Sequence, residues 1–334
     1  MSGPVVRKTR ARIAGTGHAI PEQRLTNADL ERMVETSDEW ITSRSGIRER
    51  RIARADEANS TFSIPAARHA IEMAGVDPAE LDLVVCATVT PDMPFPATSC
   101  LIQVALGAKR AAAFDISAGC SGFVYGLAIA SQFIENGSAR TVLLVGSEIL
   151  SKFTDWTDRS TCVLFGDGAA AVVLRATDED RGVLATALHS DGALGDLICM
   201  PGGGSRHPPN DPTSLERRLP FIKMKGSETF KIAVRSLADV SDEAMRKSGL
   251  DYSEVRWLIP HQANRRIIDA VGQRLDIPAE RVYVNIERFG NTSAASIPIA
   301  LDELNRSGQI QPGDVVLMSA FGAGLTWGAA VVRF

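Results

Sequence analysis

Short apolar runs alternate with amphipathic stretches along this chain, and that alternation predicts strands followed by helices. In the first part, buried strands are predicted over residues 13–17, 81–88, 113–116, 141–146 and 162–174, the last interrupted at 165–168. Helices are predicted from a cap at Thr26 to residue 34, over residues 62–73 and 98–106, and through the apolar run 124–134 to near Gly137. A succession of this kind is typical of an α/β fold.

A similar series of strands returns in the second part, over residues 183–188, 257–260, 282–286, 314–319 and 328–332. Because the order and spacing match the first series, we predict two related five-stranded halves, residues 1–176 and 177–334. Residues 200–219 are rich in Gly, Pro and polar side chains and predict a surface loop. A long amphipathic helix is predicted after it, over residues 227–247.

The composition is that of an ordinary globular protein. Of the 334 residues, 45% are hydrophobic and 23% are charged, and the net charge is −4. There is no basic excess of the kind that marks a general nucleic-acid binder, and the short basic cluster 48–51 is interpreted as a solvated turn.

The cysteines and the beginning of the chain indicate the compartment. The five cysteines are widely spread and form no C-x-x-C pair, which argues against a disulfide framework or a zinc site and favours a reducing compartment. The four histidines other than His261 lack metal-ligand spacing, so no metal is expected. A possible secretory signal is suggested by Arg7, Lys8, Arg10 and Arg12, but glycines and Pro21 break the apolar stretch that follows. No segment reaches the roughly 18 apolar residues of a transmembrane helix, so we expect a cytoplasmic protein without membrane contact.

Small residues surround Cys120 in segment 115–123, which is predicted to turn from a strand into a helix that contains the apolar run 124–134 and ends near Gly137. Cys120 would lie on the first turn of that helix, where unpaired backbone N–H groups and the macrodipole favour a nucleophilic thiolate. The alternative is a buried structural cysteine, the commonest fate of a free Cys.

Two polar residues occupy related places in the second half. Asn291 follows the third strand of the second series, so it would face Cys120 as a pseudo-symmetric partner, and His261 follows the second strand. Open α/β sheets place their sites beyond the carboxyl ends of strands, where all three residues are predicted to lie. Cys, His and Asn together are a recognised catalytic set, although cysteine proteases use it too.

The polar segment 36–48 carries Trp40 close to two arginines. An exposed aromatic ring beside guanidinium groups can bind an adenine ring and phosphates; the alternative is a Trp packed in a loop. The sequence Gly322-Ala323-Gly324 is not a dinucleotide fingerprint, because Trp327 stands where the third Gly is needed.

Three motifs distinguish this chain from other enzymes with a Cys, His and Asn set. They are Gly290-Asn291-Thr292-Ser293-Ala294-Ala295-Ser296, Pro260-His261-Gln262-Ala263-Asn264, and residues 320–328. With Asp38-Glu39-Trp40 and residues 46–50, they make residues 13–334 resemble β-ketoacyl-[acyl-carrier-protein] synthase III, of the thiolase superfamily. The resemblance implies a thiolase-like αβαβα sandwich in a homodimer. It also implies decarboxylative condensation of a short acyl-CoA primer with malonyl-acyl carrier protein, which initiates fatty acid synthesis and needs no cofactor.

In the mechanism that this resemblance implies, Cys120 takes the acyl group. His261 and Asn291 then hold the malonyl thioester oxygen, and the enolate formed by decarboxylation attacks acyl-Cys120. Backbone N–H groups of Cys120 and Ala323 would form the oxyanion hole of acyl transfer. Many relatives have Gly at the latter position, but Ala should serve if its φ allows, because only the N–H is used.

The resemblance also implies binding residues. The CoA contacts would be Thr36, Trp40, Arg44, Arg159, Gly226, Phe230, Ala263 and Asn264, with the adenine between Trp40 and Arg159 and the last four residues along a pantetheine tunnel. Phe95 would close the acyl pocket of the partner in the dimer. Arg266 matches the carrier-docking position, and Lys231, Arg265 and Arg274 would extend it.

Other functions remain open on these residues. A specialised relative would prime polyketide synthesis or transfer an acyl group without decarboxylation, and a hydrolase would release the acyl group to water. A non-catalytic acyl-CoA-binding protein belongs to a different class. Chalcone-synthase-like chemistry is less favoured, because residues 321–325 replace its G-F-G-P-G loop.

Overall fold

The computed structural model describes residues 9–334, so Arg7 and Lys8 lie outside the described residues. Strands of the first half are β1 (Arg10–Ala19), β2 (Arg24–Thr26), β3 (Glu49–Arg51), β4 (Leu83–Ala87), β5 (Ala112–Ile116), β6 (Thr141–Ile149) and β7 (Asp167–Thr177). Its helices are α1 (Asn27–Glu31), α2 (Asp38–Ser45), α3 (Asn59–Ala74), α4 (Thr98–Leu106), α5 (Gly122–Glu135) and α6 (Arg159–Cys162).

The second half repeats the alternation. Its strands are β8 (Gly182–Ser190), β9 (Ile198–Cys199), β10 (Lys223–Met224), β11 (Val255–Pro260), β12 (Val315–Gly322) and β13 (Thr326–Arg333). Its helices are α7 (Gly226–Ser248), α8 (Arg265–Arg274), α9 (Ile286–Phe289) and α10 (Ser296–Arg306). The two-residue strands β9 and β10 pair with each other and bracket the predicted loop over 200–219.

Both halves use one strand order. The first sheet runs β1-β7-β6-β4-β5 and the second runs β8-β13-β12-β11, with β7 and β13 antiparallel to both of their neighbours. Segment 282–286, predicted as the third strand of the second series, makes only one bridge, between Val282 and Leu258, where the Tyr283 N–H donates to the Leu258 carbonyl over 2.9 Å. The second sheet therefore has four strands.

The core follows from which helix faces are apolar. Helices α5 and α10 lie between the sheets and share one buried cluster with both, for example Leu127 and Leu301 with Leu144 and Met318. Helices α3 and α4 cover the outer face of the first sheet, and α7 and α8 cover the outer face of the second. This is the predicted alternation of helix, sheet, helix, sheet and helix. None of the helices within residues 9–334 is both long enough and apolar enough to span a bilayer.

Several local predictions are confirmed and others are wrong. Thr26 and Asp29 form the predicted capping box, although α1 ends at Glu31. Trp40 lies on helix α2 rather than in a loop. Cys162, predicted in a strand, is buried at the end of α6.

Arg50 corrects the interpretation of cluster 48–51 as a solvated turn, because its side chain is completely buried. Its guanidinium donates to the carbonyls of Leu25 and Val163 and to Asn27 Oδ1, over 2.7–3.1 Å. Burial lowers the pKa of Arg50 to about 10, which leaves it charged at neutral pH. A buried cation that is hydrogen-bonded to three acceptors has a structural role, because it joins residues 25–27 to residue 163.

Candidate active site

A cavity of about 470 Å³ brings most of the predicted site residues together. Its buried end carries Cys120, His261 and Asn291, which come from both halves of the chain. Further predicted residues along its wall are Trp40, Arg44, Gly226, Phe230, Lys231, Ala263, Asn264 and Arg266. The size and the single group of polar residues at the buried end are typical of a small-molecule site.

Cys120 lies where the sequence predicts it, in a 3₁₀ turn over Gly119–Ser121 that runs directly into α5. Close packing brings this turn against the end of β12: a Cβ on Gly119 would lie 2.8 Å from the backbone nitrogen of Ala323, and one on Gly322 would overlap the nitrogen of Cys120. Glycine at both positions thus lets two backbone N–H groups approach one another. Ala323 is not among the residues with positive φ, so its side chain causes no backbone strain.

The protonation state of Cys120 differs from the prediction. The pKa of the thiol is raised to about 11, mainly by burial and to a smaller extent by the Glu148 carboxylate, against the lowering effect of a hydrogen bond with the Ser293 side chain. A helix dipole contributes up to about 2 kcal/mol, whereas each pKa unit corresponds to about 1.4 kcal/mol. The prediction that the helix start alone yields a thiolate is therefore wrong, because loss of hydration outweighs it.

His261 follows β11 and is nearly completely buried. Its backbone N–H donates to the Ser319 carbonyl over 2.8 Å, and the ring nitrogen Nδ1 lies 2.6 Å from Ser296 Oγ. Burial lowers the pKa of the imidazole to about 3, so the ring is neutral at pH 7. Ser296 Oγ also accepts from the Gln262 N–H over 3.4 Å. When the Ser296 hydroxyl donates to Nδ1, the opposite ring nitrogen, Nε2, carries the hydrogen and is a donor.

Asn291 is braced from two sides. Its N–H donates to the Leu164 carbonyl over 2.9 Å, and its carbonyl accepts from the Gly166 N–H over 3.0 Å. The side-chain Oδ1 accepts from the Ser293 N–H over 2.9 Å, so the amide NH₂ is the group left to donate into the cavity. The segment 165–168, predicted as a simple structural bend, thus holds Asn291 in place.

Trp40 is flanked by cations at the exposed end of the cavity. The guanidinium carbons of Arg44 and Arg159 lie 4.9 Å and 4.8 Å from the ring centroid. An adenine between Trp40 and Arg159 would need about 7 Å, two layers at van der Waals contact. Arg159, whose Nη1 donates to the Glu35 carbonyl over 2.8 Å, would have to move aside for the predicted stack.

Comparison with known proteins agrees with this geometry. Family profiles match residues 245–334, as the 3-oxoacyl-[acyl-carrier-protein] synthase III C terminal, and residues 114–192, as 3-oxoacyl-[acyl-carrier-protein] synthase III. A relative from Roseiflexus sp. (strain RS-1), named β-ketoacyl-[acyl-carrier-protein] synthase III, is 54% identical over 97% of this chain and 98% of its own. The chain belongs to the β-ketoacyl-[acyl-carrier-protein] synthase III family.

Solved structures of this family confirm the fold. The 3-oxoacyl-[acyl-carrier-protein] synthase III from Aquifex aeolicus VF5 superposes with a TM-score of 0.90, at 50% identity over 97% of this chain and 100% of its own. The priming β-ketosynthase of the R1128 polyketide biosynthetic pathway superposes with a TM-score of 0.92, at 37% identity over 100% and 99%. The predicted thiolase-like sandwich and the predicted family are thus confirmed, and the chain is a condensing acyltransferase.

Other predicted contacts of this synthase III lie away from the cavity wall or already have partners. Arg265 pairs with Asp269 over 2.7 Å and Arg274 with Asp239 over 3.3 Å, and neither lines the cavity. Asn264 lines it, but its Oδ1 accepts from the Arg266 N–H and so caps α8.

Three more predicted residues of the synthase are not among those lining the cavity. Thr36 and Arg159 lie near Trp40, and Phe95 is 84% exposed on a surface loop. Within residues 9–334, no group of three or more His, Cys, Asp or Glu side chains is placed to hold a metal ion.

Sequence reasoning missed three polar residues of the synthase site. Ser293 and Ser296 stand inside the quoted 290–296 motif, where their contacts with Cys120 and His261 could not be inferred. Glu148 had a clear signal, since it is an acidic residue within the otherwise apolar run of β6. Apolar lining was missed as well, including Leu164, Ile198, Met224, Leu237 and Phe321.

Proposed function

We propose that this family member condenses a short acyl-CoA primer with malonyl-acyl carrier protein, through an acyl group on Cys120, and releases CoA and CO₂. The observation that carries the proposal is the single cavity with Cys120, His261 and Asn291 at its buried end and Trp40 and Arg44 at its exposed end. This arrangement suits a long thioester whose reactive carbonyl must reach a buried sulfur while its charged nucleotide remains near solvent.

In the acylation half-reaction, the sulfur of Cys120 attacks the thioester carbonyl and CoA leaves. Negative charge develops on the carbonyl oxygen in the transition state. The backbone N–H groups of Cys120 and Ala323, which close packing at Gly119 and Gly322 brings together, are suited to stabilise that charge.

In the condensation half-reaction, the malonyl thioester oxygen accepts hydrogen bonds from the Asn291 amide and from His261 Nε2–H. Loss of CO₂ leaves an enolate whose charge is on that oxygen, and each donor is worth about 3 kcal/mol to such an oxyanion. Because the pKa of His261 is about 3, the donor is a neutral imidazole throughout the neutral pH range. The enolate carbon then attacks acyl-Cys120 and the sulfur leaves.

Binding follows from the cavity's exposed end and its surroundings. Arg44 and Arg159 beside Trp40 suit the phosphates and adenine of CoA. Exposed Lys231 and Arg266, whose guanidinium lies 5.3 Å from the Phe230 ring centroid, suit docking of an acidic carrier protein at the cavity mouth. We further propose a homodimer in which the exposed Phe95 enters the partner's acyl pocket, and a cytoplasmic location.

The decisive experiment follows the acyl group. Incubation with acetyl-CoA is expected to add one acetyl mass to the intact protein and none to Cys120→Ala. Addition of malonyl-acyl carrier protein should then release CO₂ and form 3-oxoacyl-acyl carrier protein. Acetylation of Cys120→Ala, or acyl-enzyme that only hydrolyses, would refute the proposal; CoA binding without any acylation would favour a non-catalytic acyl-CoA-binding protein.

A second candidate is a starter-unit condensing enzyme or acyltransferase of polyketide synthesis. The full-length likeness to the R1128 priming β-ketosynthase favours it. Rates with a panel of acyl-CoA primers separate the two: preference for acetyl-CoA with decarboxylation supports fatty acid initiation, while preference for other primers, or acylation without CO₂ release, supports the second candidate.

A further inference from the structure

Glu148 is a buried carboxyl group close to the nucleophile that the mechanism above does not use. It lies near the end of β6 and is completely buried. One oxygen accepts from the Thr90 hydroxyl over 2.6 Å, and the Val89 N–H approaches both oxygens at 3.2 and 3.3 Å. The Thr88 hydroxyl lies 3.4 Å from the same oxygen that Thr90 contacts. These partners are neutral donors, so the carboxylate receives hydrogen bonds without a countercharge.

Ser293 connects this carboxyl to Cys120. Its hydroxyl donates to Glu148 Oε1 over 3.1 Å, and its turn packs against the turn of Cys120, where the Ser293 side chain lowers the pKa of the thiol. The residue has a φ of +48°, and its N–H donates to Asn291 Oδ1 over 2.9 Å. A non-glycine residue in this region is strained, and such strain concentrates where a side chain must be aimed at a functional group.

Among the titratable groups around Glu148, Cys120 is the one that can exchange a proton with it. Burial raises the pKa of Glu148 to about 7 and that of Cys120 to about 11. Cys86, the other thiol whose pKa Glu148 influences, is completely buried and stays neutral because its own pKa is raised well above the ordinary value. His261 is neutral as described above. Thiol and carboxyl titrate as a pair, which carries one negative charge whichever of them holds the proton.

We propose that Ser293 relays the proton of Cys120 to Glu148 when the sulfur attacks, and that Glu148 holds this proton while Cys120 carries the acyl group. The Cys120 thiol donates its proton to Ser293 Oγ as the Ser293 hydroxyl hydrogen passes to Glu148 Oε1. Glu148 acts only through Ser293 and is thus a positioning residue for the proton. This inference rests on the proposed function.

The proton and electron balance closes over the whole cycle. In acylation the sulfur–carbonyl bond forms, the bond to CoA breaks, and CoA leaves as a thiolate that takes a proton from water. In condensation the enolate forms the carbon–carbon bond and Cys120 leaves as a thiolate. Glu148 returns its proton through Ser293 to that thiolate. One proton is taken from solvent per turnover, which matches the conversion of a malonyl carboxylate to CO₂.

A purely structural role of Glu148 and the proton relay predict different results when Glu148 is substituted. Glu148→Gln keeps a carbonyl oxygen for the Val89 N–H, and the hydroxyls of Thr90 and Ser293 can reorient. The fold is therefore expected to survive, but the amide cannot accept the Cys120 proton. Acylation by acetyl-CoA in a single turnover, measured by intact mass from pH 6 to 9, is expected to fall by about 100-fold and to lose the limb set by Glu148.

Ser293→Ala should give the same loss, and Glu148→Asp should regain part of the rate. The matched control is Asp302→Asn, a buried carboxyl on α10 whose partners are His18, Thr16 and Arg306 and which is not among the residues that line the cavity. Its acylation rate and pH profile should match the unmodified protein. Alkylation of Cys120 by iodoacetamide provides a second readout that needs no acyl-CoA, since it also requires the thiolate.

Equal rates and pH profiles for Glu148→Gln and the unmodified protein, in both acylation and alkylation, would overturn the relay. A change in thermal stability alone would do the same. Absence of acylation in the unmodified protein would refute the proposed function instead, while the alkylation profiles would still decide whether Glu148 controls the Cys120 proton.

Discussion

Both halves contain the same strand–turn–helix unit, but the two units present different kinds of hydrogen-bond donor. In the first half, β5 leads through the turn of Cys120 into α5, and the donors expected there are backbone N–H groups. In the second half, the corresponding segment leads through Asn291 into α10, and the proposed donor there is a side-chain amide. The first unit thus contributes the Cys120 N–H to the proposed acyl-transfer site and the second contributes the Asn291 amide to the proposed enolate site, while Ala323 and His261 come from the ends of β12 and β11.

The difference arises at the sheet edge. Segment 282–286 pairs with β11 at one bridge only, so the chain after it is free to turn toward the first half. There Asn291 bonds to Leu164 and Gly166 of the first half. Asn291 is therefore held by contacts between the halves, whereas His261 is held within the second half by Ser296 and Ser319.

The largest expected effect separates the two half-reactions. His261→Ala or Asn291→Ala should reduce formation of 3-oxoacyl-acyl carrier protein by about 100- to 1,000-fold, because each removes one enolate donor. Acylation of Cys120 by acyl-CoA should change much less, since its donors are backbone groups. The two steps are measured separately, by product formation and by intact mass. An equal loss in both steps would show that the two half-reactions do not use separate hydrogen-bond donors.

A smaller effect is expected from disturbing the contact between halves. A Cβ at Gly166 would overlap the carbonyl oxygen of Phe289, next to the turn that carries Asn291. Gly166→Ala should lower the free energy of unfolding by about 1–3 kcal/mol, and should slow condensation more than acylation. Urea unfolding and the two half-reaction assays check this.

The matched control is Gly192→Ala, where a Cβ would meet no atom within 4 Å. It should leave stability and both half-reactions near the values of the unmodified protein. If the two glycine variants behave alike, Asn291 does not depend on the bracing at Gly166.

The buried imidazole predicts an effect of pH on stability. The pKa of His261 is about 3 in the folded protein, so between pH 6 and 4 its imidazole takes up a proton only on unfolding. The unfolded state then binds more protons, and stability falls as pH falls. His261→Gln should reduce this slope by up to about 1.4 kcal/mol per pH unit. Equal slopes in urea unfolding from pH 7 to 4 would show that the imidazole is protonated in the folded protein.

The smallest effect is expected at Ala323, whose backbone N–H is a proposed donor for acyl transfer. Ala323→Gly keeps the backbone N–H and removes only a methyl group, at a cost of about 0.5–1 kcal/mol for the added chain flexibility. We therefore expect kcat/KM for acyl-CoA to fall by about two- to fivefold. A loss of 100-fold would mean that the side chain at this position, and not the backbone donor, is what acyl transfer requires.

Much of the architecture could be predicted because it follows from local patterns. Helix α4 has the predicted bounds, and the turn of Cys120 lies at the predicted strand–helix junction. The edge segment 282–286 could not be predicted, because its apolar residues suit a strand and only the missing partner shortens it to one bridge. Arg50 appeared to be a surface cation because no local pattern reveals acceptors from distant segments.

The site divides in the same way. Residue types and motifs were sufficient to name Cys120, His261 and Asn291 and the family, because the residue type alone fixes which functional group a side chain carries. Their protonation could not be inferred, since it depends on burial: the thiol is less acidic and the imidazole less basic than in water. The contact of Ser293 with Glu148 joins residues 145 positions apart. The sequence by itself determined the order of elements and the reactive groups, while folding decided which groups meet, because hydration and hydrogen bonding are set by neighbours that are remote along the chain.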